Sequence, residues 1–344
     1  MHLNLTLRSL LPTFVPAGFV DVGHSVVRDA NTGKNLVIVD SVQSISNHLE
    51  ATLIAQPGQV IVGLEELPFV RLTITDPNGR SRTTSSLELP HRLASGWFCR
   101  AKELKNFQEE LSQRILDEGI AAATFRYCPN SLLHGVFYSQ LGGLNPNIAK
   151  TARLLTAEVV AYGGQSVSDG GVAKDPATVN GKEFDVEGHF PKREQDKEKS
   201  EKTIAKDNPA SRVGLGYIPY RHQAFIAERI ELAVYLAEGR ISRLLVPDPA
   251  KEVLRLLARF KLSLMLAEPI DLRAHCIFQA ETIPPELSDP DELMRQLAQA
   301  LEHCRSQHLF ADPLVTEFAL TLEASKEKGK RAKAAATAGD EDGE

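Results

Sequence analysis

The 344-residue chain has only four cysteines, and no two of them form a CxxC pair. Such spacing indicates neither a structural zinc site nor a disulfide framework, and a reducing compartment is the simplest interpretation. No apolar run approaches the roughly 18 residues that a membrane span needs, and the N-terminus lacks the charged and apolar regions of a signal peptide. We therefore expect a cytoplasmic protein without a membrane partner.

An excess of basic residues is also missing. The formal charge is −6 and the pI is near 6.0, so the chain cannot coat nucleic acid through bulk positive potential. A polyanion would have to be bound by a local basic groove. The overall charge therefore leaves an RNA partner open.

The familiar catalytic motifs are absent as well: the sequence has no GxxxxGK[ST], HExxH, GxSxG or EF-hand pattern. The adjacent pairs His275-Cys276 and His303-Cys304 are interpreted as packing residues. Asp40, at a strand end, is a candidate acid of a metal-dependent nuclease, but helix capping accounts for it and no carboxylate cluster accompanies it. We predict a protein that is not an enzyme and that carries no metal and no cofactor.

The most informative stretch is LVIVDSVQSISNHLEATL at 36–53, whose hydrophobic pattern changes from that of a strand to that of a helix in the middle. Four apolar residues predict a buried strand, and Asp40 or Ser41 then caps a helix. Apolar residues at helical spacing form one helix face. The other face carries amide, hydroxyl and imidazole side chains and has almost no charge. This polar face, with free backbone N–H groups in its first turn, suits a phosphate or a nucleobase; an ordinary solvated face is the alternative.

The remaining pattern alternates strands and helices. Strands are expected near 1–11, 59–64, 69–75, 155–162, 225–236, 272–280 and 314–322. Helices are expected over 104–115 and from the caps Asp248-Pro249 and Asp289-Pro290. The stretch 127–143 is interpreted as a turn, a short apolar segment and a glycine pair, in which Ser131 and His134 are polar members. A satisfied core imidazole is the alternative for His134.

Residues 163–209 have a different composition, with several glycines, few large apolar residues and mixed charges at 192–206. We interpret this segment as an insertion, either a surface loop or a basic arm that orders on a polyanion. The tail, 324–344, is low in apolar residues and is expected to be flexible.

Several segments taken together resemble one family. The segments PAGFVDVG, LVIVDSVQSISNHLEA, NSLLHGVF, GGV at 170–172 and VGLGYIP are similar, in this order, to the backbone RAMP subunit of type I-G CRISPR surveillance complexes of the Cascade type. That subunit is a branch of the seventh Cas family. The similarity extends over roughly residues 10–280.

The resemblance implies an α+β fold: an RRM-like (ferredoxin-like) palm with large insertions, including a thumb-like loop. On this view 1–162 is the first part of the palm with a helical insertion, 163–209 is the thumb-like insertion, and 210–323 is the rest of the palm with C-terminal helices. Copies of such a subunit polymerise along a CRISPR RNA, beside other effector subunits, and present the guide for pairing with target DNA in antiviral defence.

In such an assembly the protein contacts the RNA backbone and the 2′-hydroxyls, because the target sequence is recognised by base pairing with the guide. The predicted RNA-binding residues are Ser41, Gln43, Ser44, Asn47, His48, Ser131, His134, Lys150, Arg153, Lys174, Arg212 and Arg221. Two alternatives stay open: a metal-dependent RAMP ribonuclease acting on CRISPR RNA or target RNA through Asp40 or His134, and a module that binds only proteins.

Overall fold

The computed structural model describes residues 1–19, 21–145, 149–174 and 217–323. Within these ranges no helix is both long enough and apolar enough to cross a membrane. The architecture is mixed α/β, with a large antiparallel sheet, a smaller three-stranded sheet and helices packed on both. Each of the two sheets carries a hydrophobic core of its own.

The described strands are β1 (His2–Ser9), β2 (Gly18–Phe19), β3 (Gly23–His24), β4 (Val26–Arg28), β5 (Asn35–Asp40), β6 (Ile54–Gln56), β7 (Gln59–Val60), β8 (Phe69–Thr75), β9 (Ser81–Ser85), β10 (Leu155–Tyr162), β11 (Gln165–Lys174), β12 (Tyr217–Ile226), β13 (Arg229–Leu236), β14 (Ile270–Arg273), β15 (Cys276–Ala280) and β16 (Val315–Thr321). The described α-helices are α1 (Val42–Ala51), α2 (Gly96–Arg100), α3 (Lys105–Asp117), α4 (Ile120–Tyr127), α5 (Pro129–His134), α6 (Glu238–Arg243), α7 (Asp248–Ala267) and α8 (Pro290–Ser306).

The main sheet has the order β14-β15-β1-β13-β10-β5-β4, and all neighbouring pairs are antiparallel. Alternation along the strands sends one set of side chains, such as Leu5 and Leu7 of β1, into the core. Helices α1 and α7 cover this face, and α8 packs against α7. On the opposite face, side chains such as Asn4, Arg229 and Tyr235 are exposed.

The smaller sheet has the order β16-β8-β9, with β16 parallel to β8. Its core is built with helices α2 to α4, whose buried members include Phe98, Phe107 and Leu111. The two cores meet at α5, because Cys128, just before this helix, belongs to the smaller core whereas Leu132 and Leu133 belong to the main one. Helix α4 also contributes side chains to both cores, so α4 and α5 together join the two sheets.

The strand-to-helix unit predicted at 36–53 is confirmed by β5 and α1. Ser41 is the cap, since its Oγ accepts a hydrogen bond from Ser44 N–H at 3.3 Å. The predicted cap of α8 is also confirmed, with Asp289 accepting from Glu292 N–H at 2.9 Å. The prediction for α7 was wrong in detail, because Asp248 is its first residue and pairs with Lys251 instead of capping the helix.

Other local predictions are corrected by the structure. The stretch 127–143 contains helix α5, which Pro129 begins and Gly135 ends, because a proline fits the first turn and a positive φ ends it. Strand 59–64 shortens to β7, and 272–280 is a hairpin turned at His275 (φ 61°). The predicted insertion at 163–209 begins with strand β11, which pairs with β12. Residues 175–209 lie outside the described ranges.

Candidate nucleic-acid interface

Helix α1 presents the polar face that the sequence predicted. Gln43 and Asn47 are exposed and joined by a hydrogen bond from Nε2 to Oδ1 of 3.3 Å, while Ser44 and His48 are half-buried. Ser46, which the helical pattern places on this face, is instead buried, and its hydroxyl donates to the carbonyl of Val42 at 2.7 Å. The outer face of α1 is thus neutral and rich in groups that both donate and accept hydrogen bonds.

A short backbone ribbon lies beside α1. Thr151 N–H donates to the carbonyl of Val136 at 2.9 Å, and Leu154 N–H donates to that of Leu133 at 2.9 Å. Gly135 makes this approach possible, because its φ is +79° and a Cβ there would lie 3.0 Å from the backbone nitrogen of Arg153. Gly135, the glycine of NSLLHGVF, therefore fixes the position of the Arg153 backbone.

Arg153 binds directly to α1. Its Nη1 donates to the carbonyl of Val42 at 3.1 Å and to Ser46 Oγ at 2.9 Å, and its Nη2 donates to Gln43 Oε1 at 3.0 Å. Burial, and then the charge of Arg92, lowers the pKa of this half-buried guanidinium. Arg240 of α6 adds a second cation here, since its Nη1 donates to the carbonyl of Arg153 at 3.2 Å. One guanidinium group therefore contacts the neutral helix face, and a second lies against the backbone of Arg153.

Behind this surface lies a buried chain of polar contacts. Glu50 of α1 forms a two-point ion pair with Arg92, with N–O distances of 2.6 and 2.7 Å. Asn130 Nδ2 donates to Glu50 Oε1 at 2.6 Å, and Lys261 Nζ donates to Asn130 Oδ1 at 2.6 Å. Lys261 Nζ also lies 2.6 Å from His134 Nε2. These five side chains come from α1, from the turn before α2, and from helices α5 and α7, so they hold α1 against the rest of the fold.

Burial dominates the electrostatics of this chain. It lowers the pKa of Lys261 to about 7, against the opposing charge of Glu50, and burial together with Lys261 lowers the pKa of His134 well below its ordinary value. His134 is therefore neutral at pH 7. Among the described residues no hydrogen-bond partner reaches its Nδ1.

Two predicted RNA contacts are placed in the interior. Ser131 is fully buried and its Oγ accepts from Leu93 N–H, and His134 is buried against Lys261. This placement disagrees with the prediction that both residues contact RNA. The physical reason is that α5 is packed between the two cores, so its polar side chains find partners inside the protein.

Asp40 is fully buried at the end of β5. One carboxylate oxygen accepts from Arg273 Nη2, and the other lies 3.8 Å from His48 Nε2. Within the described ranges no group of three or more histidine, cysteine, aspartate or glutamate side chains is placed to hold a metal ion. The Asp40 carboxylate therefore forms an ion pair with Arg273 just before the first turn of α1.

The other predicted residues are distributed as follows. Lys150 is exposed on the ribbon that carries Arg153. Lys174 and Arg221 lie on β11 and β12, where the backbone of Lys174 pairs with Tyr217 and that of Arg221 with Gly170. Arg212 lies outside the described residues. The structure thus brings Arg153 to the face of α1 that carries Gln43.

Sequence reasoning missed Arg240, Glu50 and Lys261. A signal existed for Lys261, which lies four residues after Leu257 on the apolar stripe of α7, whereas Glu50 lies beside the apolar stripe of α1, four residues after Ser46. A charged residue on the apolar stripe of a helix predicts a buried partner. Nothing in the sequence pattern distinguishes Arg240 from other surface arginines.

Part of this chain is similar to known proteins. A family model described as CRISPR-associated protein GSU0053 matches residues 12–166, the range that contains α1, α5 and Arg153. A search among curated proteins finds no match. Among solved structures, one chain described as "CRISPR RNA-guided surveillance complex, pre-nicking" aligns at 14% identity and a TM-score of 0.32 over 77% of this chain. The alignment covers 66% of that chain, slightly under two thirds of its length. The family match confirms the resemblance to CRISPR-associated proteins: residues 12–166 of this chain are similar to the CRISPR-associated GSU0053 family.

Proposed function

We propose that this chain is a non-catalytic RNA-binding subunit that forms the backbone of a type I-G CRISPR effector complex. It holds the guide RNA through the ribose-phosphate chain and presents the bases for pairing with target DNA. The family match over residues 12–166 supports a CRISPR role. The further partners in this proposal are other copies of the same chain and other subunits of the complex, in the cytoplasm.

The RRM-like palm is part of the proposal, and the strand order supports it. The four strands β15-β1-β13-β10 are antiparallel neighbours, with α1 between β1 and β10 in the chain and α7 between β13 and β15. This arrangement corresponds to the 4-1-3-2 order of a β-α-β-β-α-β unit. The β11–β12 hairpin leaves this palm between β10 and β13, where a thumb-like insertion is proposed.

One observation carries the proposal most strongly: Arg153 is hydrogen-bonded to the same α1 face that exposes Gln43 and Asn47. A guanidinium beside amides and hydroxyls offers a phosphate ligand next to donors and acceptors for a 2′-hydroxyl. Such groups bind the RNA backbone without reading base edges. A guide strand held in this way keeps the Watson–Crick edges of its bases free for pairing.

Purification of the full chain co-expressed with a CRISPR guide and its partner subunits tests the proposal. We expect nuclease-protected RNA of uniform length, a raised ratio of absorbance at 260 and 280 nm, and an affinity that falls with salt because bound phosphates release counterions. Incubation with magnesium or manganese should leave the RNA intact. A protomer that carries no RNA would contradict the RNA-binding role, and metal-dependent cleavage lost on Asp40→Ala would support the ribonuclease alternative.

A further inference from the structure

A second surface, distinct from α1, combines exposed rings with cations. Phe137 lies on the ribbon that carries Arg153, forms an antiparallel bridge with Lys150, and is 51% exposed. Its neighbours Val136 and Tyr138 are buried, and Tyr138 N–H donates to the carbonyl of Ala149 at 2.8 Å. Because the flanking residues are anchored, the ribbon presents the Phe137 ring outward in a fixed position. In an antiparallel bridge, Lys150 lies on the same side as this ring.

The surface continues from the turn after Phe137 to α2. Gln140 Oε1 accepts from Arg100 Nη1 at 3.3 Å, and Arg100 lines a groove of about 580 Å³. The groove also contains Trp97, which is 37% exposed, together with Lys102 and Glu103. We call the surface formed by Phe137, Lys150, Gln140, Arg100, Trp97 and Lys102 the stacking strip.

The charge of the stacking strip favours a polyanion. Lys150, Arg100 and Lys102 supply three cations, and the carboxylate of Glu103 opposes one of them. Exposed aromatic rings beside cations are the chemistry that binds single-stranded nucleic acid, because each base stacks on a ring while its phosphate meets a positive charge. A ring of this kind contacts any base, so it does not require a particular sequence.

We propose that the stacking strip binds single-stranded RNA, with bases stacked on Phe137 and Trp97 and phosphates held by Lys150 and Arg100. The inference rests on the proposed RNA-binding function and adds a second contact to it. Lys150 and Arg153 are three residues apart on one extended segment, a distance of about 10 Å at ~3.3 Å per residue. One strand of RNA can therefore touch α1 and the stacking strip in succession.

Trp97 is the sole tryptophan of the chain, so its fluorescence reports this surface alone. The full chain, purified free of RNA in high salt, is titrated with a single-stranded RNA of mixed sequence and, separately, with inorganic polyphosphate. We expect RNA to quench the tryptophan emission, because a base stacks on the indole. Polyphosphate, which carries charge without bases, should compete for binding without quenching.

Variants separate stacking from charge. Phe137→Ala should weaken binding of labelled RNA about tenfold and leave the salt dependence unchanged, since it removes a ring and no charge. Lys150→Ala should instead lower the slope of log affinity against log salt by about 0.7. Trp97→Phe should retain binding because it keeps an aromatic ring. Val62→Ala is the matched control, an apolar truncation at a side chain that is 89% exposed elsewhere, and it should change neither quantity.

The outcomes are distinguishable. RNA binding by the wild-type chain without quenching of Trp97, together with an unchanged affinity of Phe137→Ala, would overturn the stacking strip and leave the RNA-binding function intact. Complete absence of RNA binding would overturn both. If the variants keep RNA affinity but lose assembly with partner subunits, the strip is a protein interface and the inference fails.

Discussion

Lys261 Nζ lies 2.6 Å from His134 Nε2, and both side chains are buried where α7 meets the end of α5. Through Asn130 this pair is connected to the ion pair of Glu50 and Arg92, so one chain of polar contacts passes between the two hydrophobic cores. Inside a protein such a chain has defined geometry, because each lost contact leaves a buried polar group unsatisfied. Its members fix the position of helix α1.

Stability should depend on pH through Lys261. Its pKa is lowered from 10.5 to about 7 in the folded protein, so above pH 7 the unfolded chain binds a proton that the folded chain does not. The free energy of unfolding should therefore rise as the pH increases above 7. Denaturant unfolding between pH 7 and about 7.5 measures this slope, because cysteines of the unfolded chain, with a pKa of about 8.5, lose few protons in that range. Lys261→Met should flatten it, and an equal slope in that variant would contradict the assignment.

Removal of the Glu50 carboxylate should destabilise the fold strongly. Glu50→Ala leaves the buried guanidinium of Arg92 without its partner, and breaking a buried ion pair in this way typically costs about 3–5 kcal/mol. The partly exposed pair of Arg305 and Glu66 is a suitable control, since Glu66→Ala should change the unfolding free energy by about 0.5 kcal/mol. Urea unfolding of the two variants gives the comparison. Equal losses would show that burial of the Glu50 pair has no energetic role.

Gly135→Ala should disturb the ribbon that positions Arg153. A residue with a side chain is strained at φ +79°, and its Cβ would in addition lie 3.0 Å from the nitrogen of Arg153. Gly119 has a similar φ of +86° with no atom within 4 Å, so Gly119→Ala carries the backbone strain alone. We expect Gly135→Ala to be the more destabilising in thermal unfolding and to weaken RNA binding. Similar melting temperatures would contradict the close approach.

Charge reversal at Lys150 and at Arg153 should have different consequences. Lys150 is exposed, so Lys150→Glu should weaken RNA binding while changing stability by only about 0.5 kcal/mol. Arg153 is half-buried and bound to α1, so Arg153→Glu should also lower the melting temperature. RNA affinity and thermal unfolding of each single variant test this difference. Unchanged affinity of Lys150→Glu would remove Lys150 from the interface.

A core substitution in α1 should unfold the protein. Ile45 is fully buried against the main sheet, and Ile45→Asp would place an unpaired carboxylate in that core. We expect loss of the cooperative transition in circular dichroism. The exposed substitution Asn47→Asp on the same helix should keep the transition, and a folded Ile45→Asp would contradict the placement of this helix face.

The local unit from β5 to α1 could be predicted because it is encoded by neighbouring residues. A β-branched run, a serine cap and apolar residues three and four apart are local signals, and the structure has the strand, the cap and the helix that they predict. Helix α5 was missed because it has only six residues, too few for a period to appear, and its stability comes from packing between two cores.

The RNA-binding prediction depended on side-chain direction, which local patterns do not determine. Ser131 and His134 have the chemistry of RNA ligands, but distant residues, Leu93 and Lys261, occupy their polar atoms. Arg153 was predicted as a surface cation, and the fold attached it to a helix more than 100 residues earlier in the chain. Both outcomes depend on contacts between segments far apart in sequence.

By itself, the sequence determined the strand-helix unit, its neutral polar face and the resemblance to CRISPR-associated proteins, because composition and short-range spacing encode these features. Only the tertiary structure decided which polar residues are exposed and which belong to the buried chain of polar contacts that links Arg92 to His134. The physical reason is that burial of a charge is decided by whether distant segments bring it a partner, and no local spacing records that meeting.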